Sequence, residues 1–162
     1  MSFNSVYFSL GSNLGHREAN LEKALDMMDK AFGGRAKAVS RIIDTAPWGE
    51  GATKRFLNCC ALYRIPQAKE TAEEDCLEIL AKCKEIERSL GRREEIEFDK
   101  EGRRIYHDRT IDIDILFYGT ETIDTESLKV PHPLISQRDF VLIPLREIAK
   151  PSLRAAFPEL FD

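Results

Sequence analysis

The stretch Asp108-Arg-Thr-Ile-Asp-Ile-Asp-Ile-Leu-Phe-Tyr-Gly119 reads as a core strand and nevertheless carries two carboxylates in its middle. Side chains on a strand repeat every two residues, so Ile111, Ile113 and Ile115 share one face and Asp112 and Asp114 the other. At about 6.6 Å apart, two such anions repel by a few kcal/mol near a protein surface, and aspartate is a poor strand former besides. Two readings are open. The acids hold a divalent cation, since Mg²⁺ takes one or two protein carboxylates and completes its shell with water and substrate phosphate; or they are solvated on an exposed face.

The rest of the chain supplies partners for that strand. Ser5–Leu10 alternates into a strand, Gly11-Ser-Asn-Leu-Gly15 turns, and Arg17–Phe32 repeats apolar residues at helical spacing before Gly33. Lys37–Thr45 and Phe56–Ile65 predict two more strands around the loop Ala46–Ala52. A second helix is predicted over Ala72–Leu90, with a capping box at Thr71-Ala-Glu-Glu74 and a stop at Gly91. Thr122–Val130 gives short extended pieces, Pro131-His-Pro133 a rigid turn, and Phe140–Ile148 a partly helical segment. Strand, helix, strand, strand, helix, strand is the ferredoxin-like βαββαβ order, an α+β fold with two helices on one face of the sheet and a C-terminal extension. At 162 residues the chain is expected to form one domain, residues 1–162, around one core.

Composition narrows the function classes. With 43% hydrophobic and 32% charged residues and no apolar run long enough to span a bilayer, a membrane role is not expected. The net charge of -4 gives no basis for a nucleic-acid partner. No signal peptide is visible, so the expected compartment is cytoplasmic, and a monomer is expected. Cys59, Cys60, Cys76 and Cys83 lack metal-ligand spacing and read as reduced core positions.

Other residues are candidates for a site. The glycines after the first strand either cradle phosphate or make a plain tight turn, and no Walker signature is present. Trp48 and Phe56 beside Asn58 suit a flat polar heterocycle, with an ordinary core Phe and a sheet-capping Trp as the alternative. Arg92–Arg109 is rich in arginine and poor in apolar residues. It reads as a long loop, either a cationic lid over polyphosphate or a solvated linker. His132, held between two prolines, is as readily structural as functional.

These residues resemble one family, the 6-hydroxymethyl-7,8-dihydropterin pyrophosphokinases of folate biosynthesis. The resemblance is carried by Gly11-Ser-Asn-Leu-Gly15, Thr45-Ala-Pro-Trp-Gly49, Phe56-Leu-Asn58, Glu87 with Gly91-Arg92, Arg109-Thr-Ile-Asp-Ile-Asp114, Leu116-Phe-Tyr-Gly119, Val130-Pro-His132 and Arg138-Asp-Phe140. It implies transfer of diphosphate from ATP, as co-substrate, to the hydroxymethyl oxygen of the dihydropterin, with release of AMP. It also implies two Mg²⁺ ions on Asp112 and Asp114. A pterin ring would lie between Phe56 and Phe140 with Thr45, Trp48 and Asn58 around it, and Arg92, Arg109, His132 and Arg138 would serve the nucleotide, Arg92 and Arg109 in catalysis. The segment between Gly91 and Arg109 is longer than in the shorter members, and Pro133 follows the histidine where some have tyrosine.

Two other classes compete. A two-metal nucleotidyl transferase also uses paired acids on strands but lacks the Phe56, Asn58 and Phe140 pocket. A non-catalytic ferredoxin-like binding module would want aromatics on its central strands and a basic surface, whereas this chain places acids there.

Overall fold

A computed structural model describes residues 2–49, 51–91, 97–105 and 108–162. The chain runs β1 (Phe3–Ser12), α1 (Arg17–Phe32), β2 (Ala38–Val39), β3 (Ile43–Thr45), β4 (Phe56–Pro66), α2 (Ala72–Ser89), β5 (Glu97–Phe98), β6 (Arg104–Ile105), β7 (Asp112–Tyr118), β8 (Ile123–Asp124) and β9 (Lys129–Val130). A 3-10 turn at Ile135–Gln137 then leads into α3 (Asp139–Ile148), α4 (Pro151–Ala156) and α5 (Pro158–Phe161). It is a mixed helix-and-sheet protein whose paired strands are all antiparallel among the described residues.

The order across the main sheet is β2-β4-β1-β7, with β3 also on β4. Alternation sorts the side chains between two cores. Val6, Phe8 and Leu10 of β1, Cys59, Ala61 and Tyr63 of β4, and Ile113 and Ile115 of β7, with Ile111 just before it, face α1 and α2. Leu21, Ala24, Met28 and Phe32 of α1 and Cys76, Ile79, Cys83 and Ile86 of α2 close that core. Thr71 caps α2 by accepting from the Glu74 N–H at 3.1 Å, as the sequence pattern predicts.

The second face is covered too, which two helices on one side leave out of account. Tyr7, Cys60, Leu62, Leu116 and Phe117 pack against Ile135, Val141, Leu145 and Leu153. The C-terminal extension is therefore the lid of a second core. All four cysteines are free and buried, and burial pushes the Cys59 and Cys76 thiols up to about 12.

Three predicted elements differ in form. The strand predicted over Lys37–Thr45 is broken into β2 and β3, because Ser40 donates its N–H to Cys60 O at 2.9 Å and accepts the Cys60 N–H on its hydroxyl at 2.8 Å. The hydroxyl replaces a ladder carbonyl and the strand kinks there. Strand β7 starts only at Asp112, since Asp108 and Arg109 are bonded to Asn13 and to the loop before β4. It also carries one extra residue: Tyr7 stands opposite Phe117 and Phe8 opposite Ile115, so Leu116 bulges and both Leu116 and Phe117 reach the second core. Last, the expected loop before β7 contains the short β5/β6 hairpin, turned by Asp99, which accepts the N–H groups of Glu101 and Arg103.

Candidate active site

The second face is apolar at one end and polar at the other. Beyond Tyr7 and Cys60 the same face of β1, β4 and β7 presents Ser9, Gly11, Asn58, Asp112 and Asp114, which line a cavity of about 250 Å³. Pairing sets its floor: Gly11 is directly opposite Asn58 on one side and Asp112 on the other. Neighbouring strands lie about 4.8 Å apart, so one amide and one carboxylate flank a bare backbone position at roughly 10 Å from each other. A Cβ on Gly11 would come within 2.8 Å of Asn58 Oδ1 and 3.3 Å of the Phe56 ring.

At the amide end, Asn58 is buried and donates Nδ2–H to Thr45 Oγ1 at 2.7 Å. Phe56 and Trp48 line the same end, and Phe140, at the start of α3, stands 6.4 Å from Trp48 between ring centroids. The Arg138 guanidinium lies 4.4 Å above the Trp48 ring and 5.5 Å from that of Phe140. Arg138 is only 7% exposed, and its Nε–H is buried without a hydrogen-bond partner. Arg138 lines the cavity, and its guanidinium brings there a positive charge that suits an anion.

At the carboxylate end, Arg109 reaches Asp112 at 3.3 Å and Arg138 stands 3.9 Å from Asp114. These arginines lessen the repulsion that the strand pattern predicts. Among the described residues no cluster of three or more His, Cys, Asp or Glu forms a protein-only metal cage. Two adjacent carboxylates on a cavity floor do suit a hard cation that takes its remaining ligands from phosphate and water. Glu87, buried on α2, accepts the Ile113 N–H at 2.8 Å and so fixes the outer edge of β7 between the two aspartates.

His132 follows β9, its N–H bonded to the carbonyl of the bulged Leu116. Its Nδ1 accepts from the Leu134 N–H at 3.2 Å, which puts the proton of the neutral ring on Nε2. Burial, and then the charge of Arg138, push its pKa down to about 4 against the pull of Asp112.

The cavity thus gathers Thr45, Trp48, Phe56, Asn58, Arg109, Asp112, Asp114, His132, Arg138 and Phe140. Arg92 lies outside the described residues, as do Arg93, Tyr106 and His107. Ser9 and Lys84 also line it, to which sequence reasoning gave no role, and so does Arg104, which it placed in the arginine-rich segment without an individual assignment. Gly11 it read as part of a phosphate cradle or a plain turn, not as a strand position on the cavity floor. A strand alternation extended from Val6, Phe8 and Leu10 to the opposite parity places Ser9 and Gly11 on the aspartate face; nothing local marks Lys84.

Residues 7–150 match the family model HPPK: 7,8-dihydro-6-hydroxymethylpterin-pyrophosphokinase (HPPK). The chain is similar to the 2-amino-4-hydroxy-6-hydroxymethyldihydropteridine pyrophosphokinase of Porphyromonas gingivalis, 41% identical over 145 residues that span 89% of this chain and 90% of that protein. The Bacillus subtilis protein of the same name is 35% identical over 147 residues, 91% of this chain and 79% of that one. In fold the chain resembles a crystal structure of an HPPK-DHPS in complex with substrates, with a TM-score of 0.66 at 16% identity, covering 98% of this chain and 43% of that one. On this footing the chain belongs to the 7,8-dihydro-6-hydroxymethylpterin pyrophosphokinase family of folate biosynthesis.

Proposed function

We propose that the cavity holds the dihydropterin alcohol at its amide end and the phosphates of ATP at its carboxylate end, so that the hydroxymethyl oxygen and the attacked phosphorus meet above Gly11. The row Asn58, Gly11, Asp112 across three strands carries this reading. Asn58 offers donor and acceptor to a ring edge, held in place by Thr45, while Phe56 and Phe140 with Trp48 beside them supply apolar faces. The chain acts as one domain, and its sheet order is that of a ferredoxin-like fold with an added C-terminal cap.

Phosphoryl transfer asks a protein mainly to align the reactants in line and to stabilise charge spread over non-bridging oxygens. The guanidinium groups of Arg138 and Arg109, both lining the cavity, supply charged donors for those oxygens. His132, neutral near pH 7, offers its Nε2–H to phosphate without adding charge. Arg92 is assigned to the nucleotide by resemblance alone. Asp112 and Asp114 would hold two Mg²⁺ ions together with the ATP phosphates, and the metal supplies neutralisation of phosphate charge and a lower pKa for the attacking hydroxyl. Among the described residues the protein brings no nucleophile and base pair, and this transfer needs none.

The test is a product assay with ATP, Mg²⁺ and 6-hydroxymethyl-7,8-dihydropterin that resolves AMP from ADP. AMP formed only with the pterin present is expected; ADP would place attack at the γ-phosphorus and overturn the reading. Asp112→Ala and Asp114→Ala are each expected to lower kcat by about 10²–10³-fold or more, the scale of losing a charge-stabilising group, with circular dichroism unchanged. Near-normal turnover in either would remove the carboxylates from the mechanism.

A further inference from the structure

The carboxylate of Asp108 is not part of the cavity lining, yet it accepts four hydrogen bonds. Oδ1 takes the Thr53 N–H at 2.7 Å, the Lys54 N–H at 3.2 Å and Asn13 Nδ2–H at 2.7 Å, and Oδ2 takes the Thr53 hydroxyl at 2.7 Å. Two successive backbone N–H groups pointing at one anion make a small nest. Burial alone would push the Asp108 carboxyl up, but the bonds from Thr53, Lys54 and Asn13 outweigh it and hold the group below the ordinary carboxylate range.

Three segments converge on this one side chain. Thr53 and Lys54 belong to the connection between β3 and β4, the same loop that carries Trp48. Asn13 directly follows β1 and grips the backbone of Arg109 from both sides, its N–H donating to Arg109 O at 3.1 Å and its Oδ1 accepting the Arg109 N–H at 2.6 Å. Asn13 Nδ2 also donates to Lys54 O at 3.0 Å. Arg109 is therefore held by Asn13 whether or not Asp108 is present. Asp108 adds three bonds to Thr53 and Lys54, beside the single one from Asn13 to Lys54 O, and so carries most of the tie between the far end of the Trp48 loop and the segment that leads into the strand with the paired aspartates.

We infer that Asp108 is a positioning residue for the pterin subsite: a latch, reaching from the phosphate side of the cavity, that fixes the loop on which Trp48 stands against Arg138 and Phe140. It acts through the loop and touches neither substrate. This role rests on the assignment of Trp48 to the pterin wall, and variants at the two positions distinguish failure of the latch from failure of the wall.

Asp108→Ala, Asp108→Asn and Trp48→Ala are compared with the parent chain for kcat and for KM of each substrate. Trp48 is the chain's one tryptophan, so its fluorescence anisotropy and acrylamide quenching report the loop directly without ligand. Asp108→Ala is expected to raise the pterin KM roughly ten-fold, the scale of losing hydrogen bonds to a charged group, while the ATP KM and kcat change less than about three-fold. It should also lower Trp48 anisotropy and raise quenching. Asp108→Asn keeps one acceptor oxygen and can donate to the Thr53 hydroxyl, so it should restore most of both effects. Unchanged anisotropy with an unchanged pterin KM in Asp108→Ala would overturn the latch, and so would equal losses for both substrates. Should Trp48→Ala leave the pterin KM unaltered, the wall assignment fails and the proposal with it; should Trp48→Ala raise that KM while Asp108→Ala does not, only the latch fails. If Asp108→Ala does not fold, Thr53→Val, which removes the hydroxyl bond alone, must show a smaller change of the same kind or the latch is wrong.

Discussion

Gly11 shows how a single missing side chain shapes this site. The space that a Cβ would fill is bounded by Asn58 Oδ1 at 2.8 Å, so Gly11→Ala must displace the amide and disturb its 2.7 Å bond to Thr45. The clash is with the end of a side chain, and the fold should survive with a loss of about 1–3 kcal/mol. The pterin KM is expected to rise at least about ten-fold, with the ATP KM little changed; steady-state kinetics with each substrate varied checks this, and an unaltered pterin KM would show that the amide end is not where the ring lies. At the same scale, His132 makes stability depend on pH. Its folded pKa of about 4 lies below its ordinary 6.5, so as pH falls through that window the unfolded chain takes up a proton that the folded chain refuses. Stability is at its fullest above about 6.5 and is lost downward to about 4, by up to roughly 3 kcal/mol. Urea midpoints measured between pH 7 and pH 4 should fall more steeply for the parent chain than for His132→Asn; equal slopes would refute the assignment. The aspartates were legible because strand period two is written into consecutive residues. Gly11 and Asp108 were not, because the clash that excludes a Cβ and the donors that surround the carboxylate come from β4 and from a loop dozens of residues away.

At the level of elements, the helices declare their own limits better than the strands do. Helix α1 was predicted with its observed bounds, Arg17–Phe32, because its apolar spacing and the left-handed Gly33 that ends it are local. The break between β2 and β3 was hidden, since a serine hydroxyl standing in for a carbonyl is visible only when Cys60 is opposite it. The bulge at Leu116 was hidden for the same reason, yet it turns Phe117 into the second core and gives His132 its carbonyl anchor. The join between α2 and β7 rests on Glu87, whose carboxylate substitutes for the missing neighbour strand at Ile113. Glu87→Ala leaves that N–H buried and unpaired, a loss of about 1–3 kcal/mol. Glu87→Gln retains an acceptor and should lose less. Hydrogen exchange at Ile113 is the direct readout: it should quicken strongly in the alanine variant and modestly in the glutamine one. Identical protection in both would mean that Glu87 does not hold the strand edge.

Taken whole, the molecule is a sheet with one face given to structure and the other divided between structure and chemistry. The first face packs α1 and α2 along its length, while the second packs α3 to α5 over Tyr7, Leu116 and Phe117 and leaves its polar end open. The two halves of that second face share an element, because α3 begins with Phe140 at the cavity and continues as Val141, Leu142 and Leu145 in the core. Support for the pterin end therefore comes from the C-terminal cap as well as from the sheet. Leu153 of α4 is 3% exposed within that second core and lines no part of the cavity. The Phe157 and Phe161 rings beyond it lie 5.2 and 6.4 Å from Phe117, and the Lys150 N–H donates to Tyr7 Oη at 3.1 Å, so the cap is fastened at its edges as well. Leu153→Ala removes a buried side chain from the middle of this arrangement and is expected to destabilise by about 2–5 kcal/mol, read from urea unfolding. Because α3 keeps its own contacts through Val141 and Leu145, kcat and both KM values measured well below the midpoint should stay within about two-fold of the parent. A stability loss accompanied by a selective rise in the pterin KM would show instead that α4 helps to set Phe140, and a variant as stable as the parent would show that the cap is not a core at all.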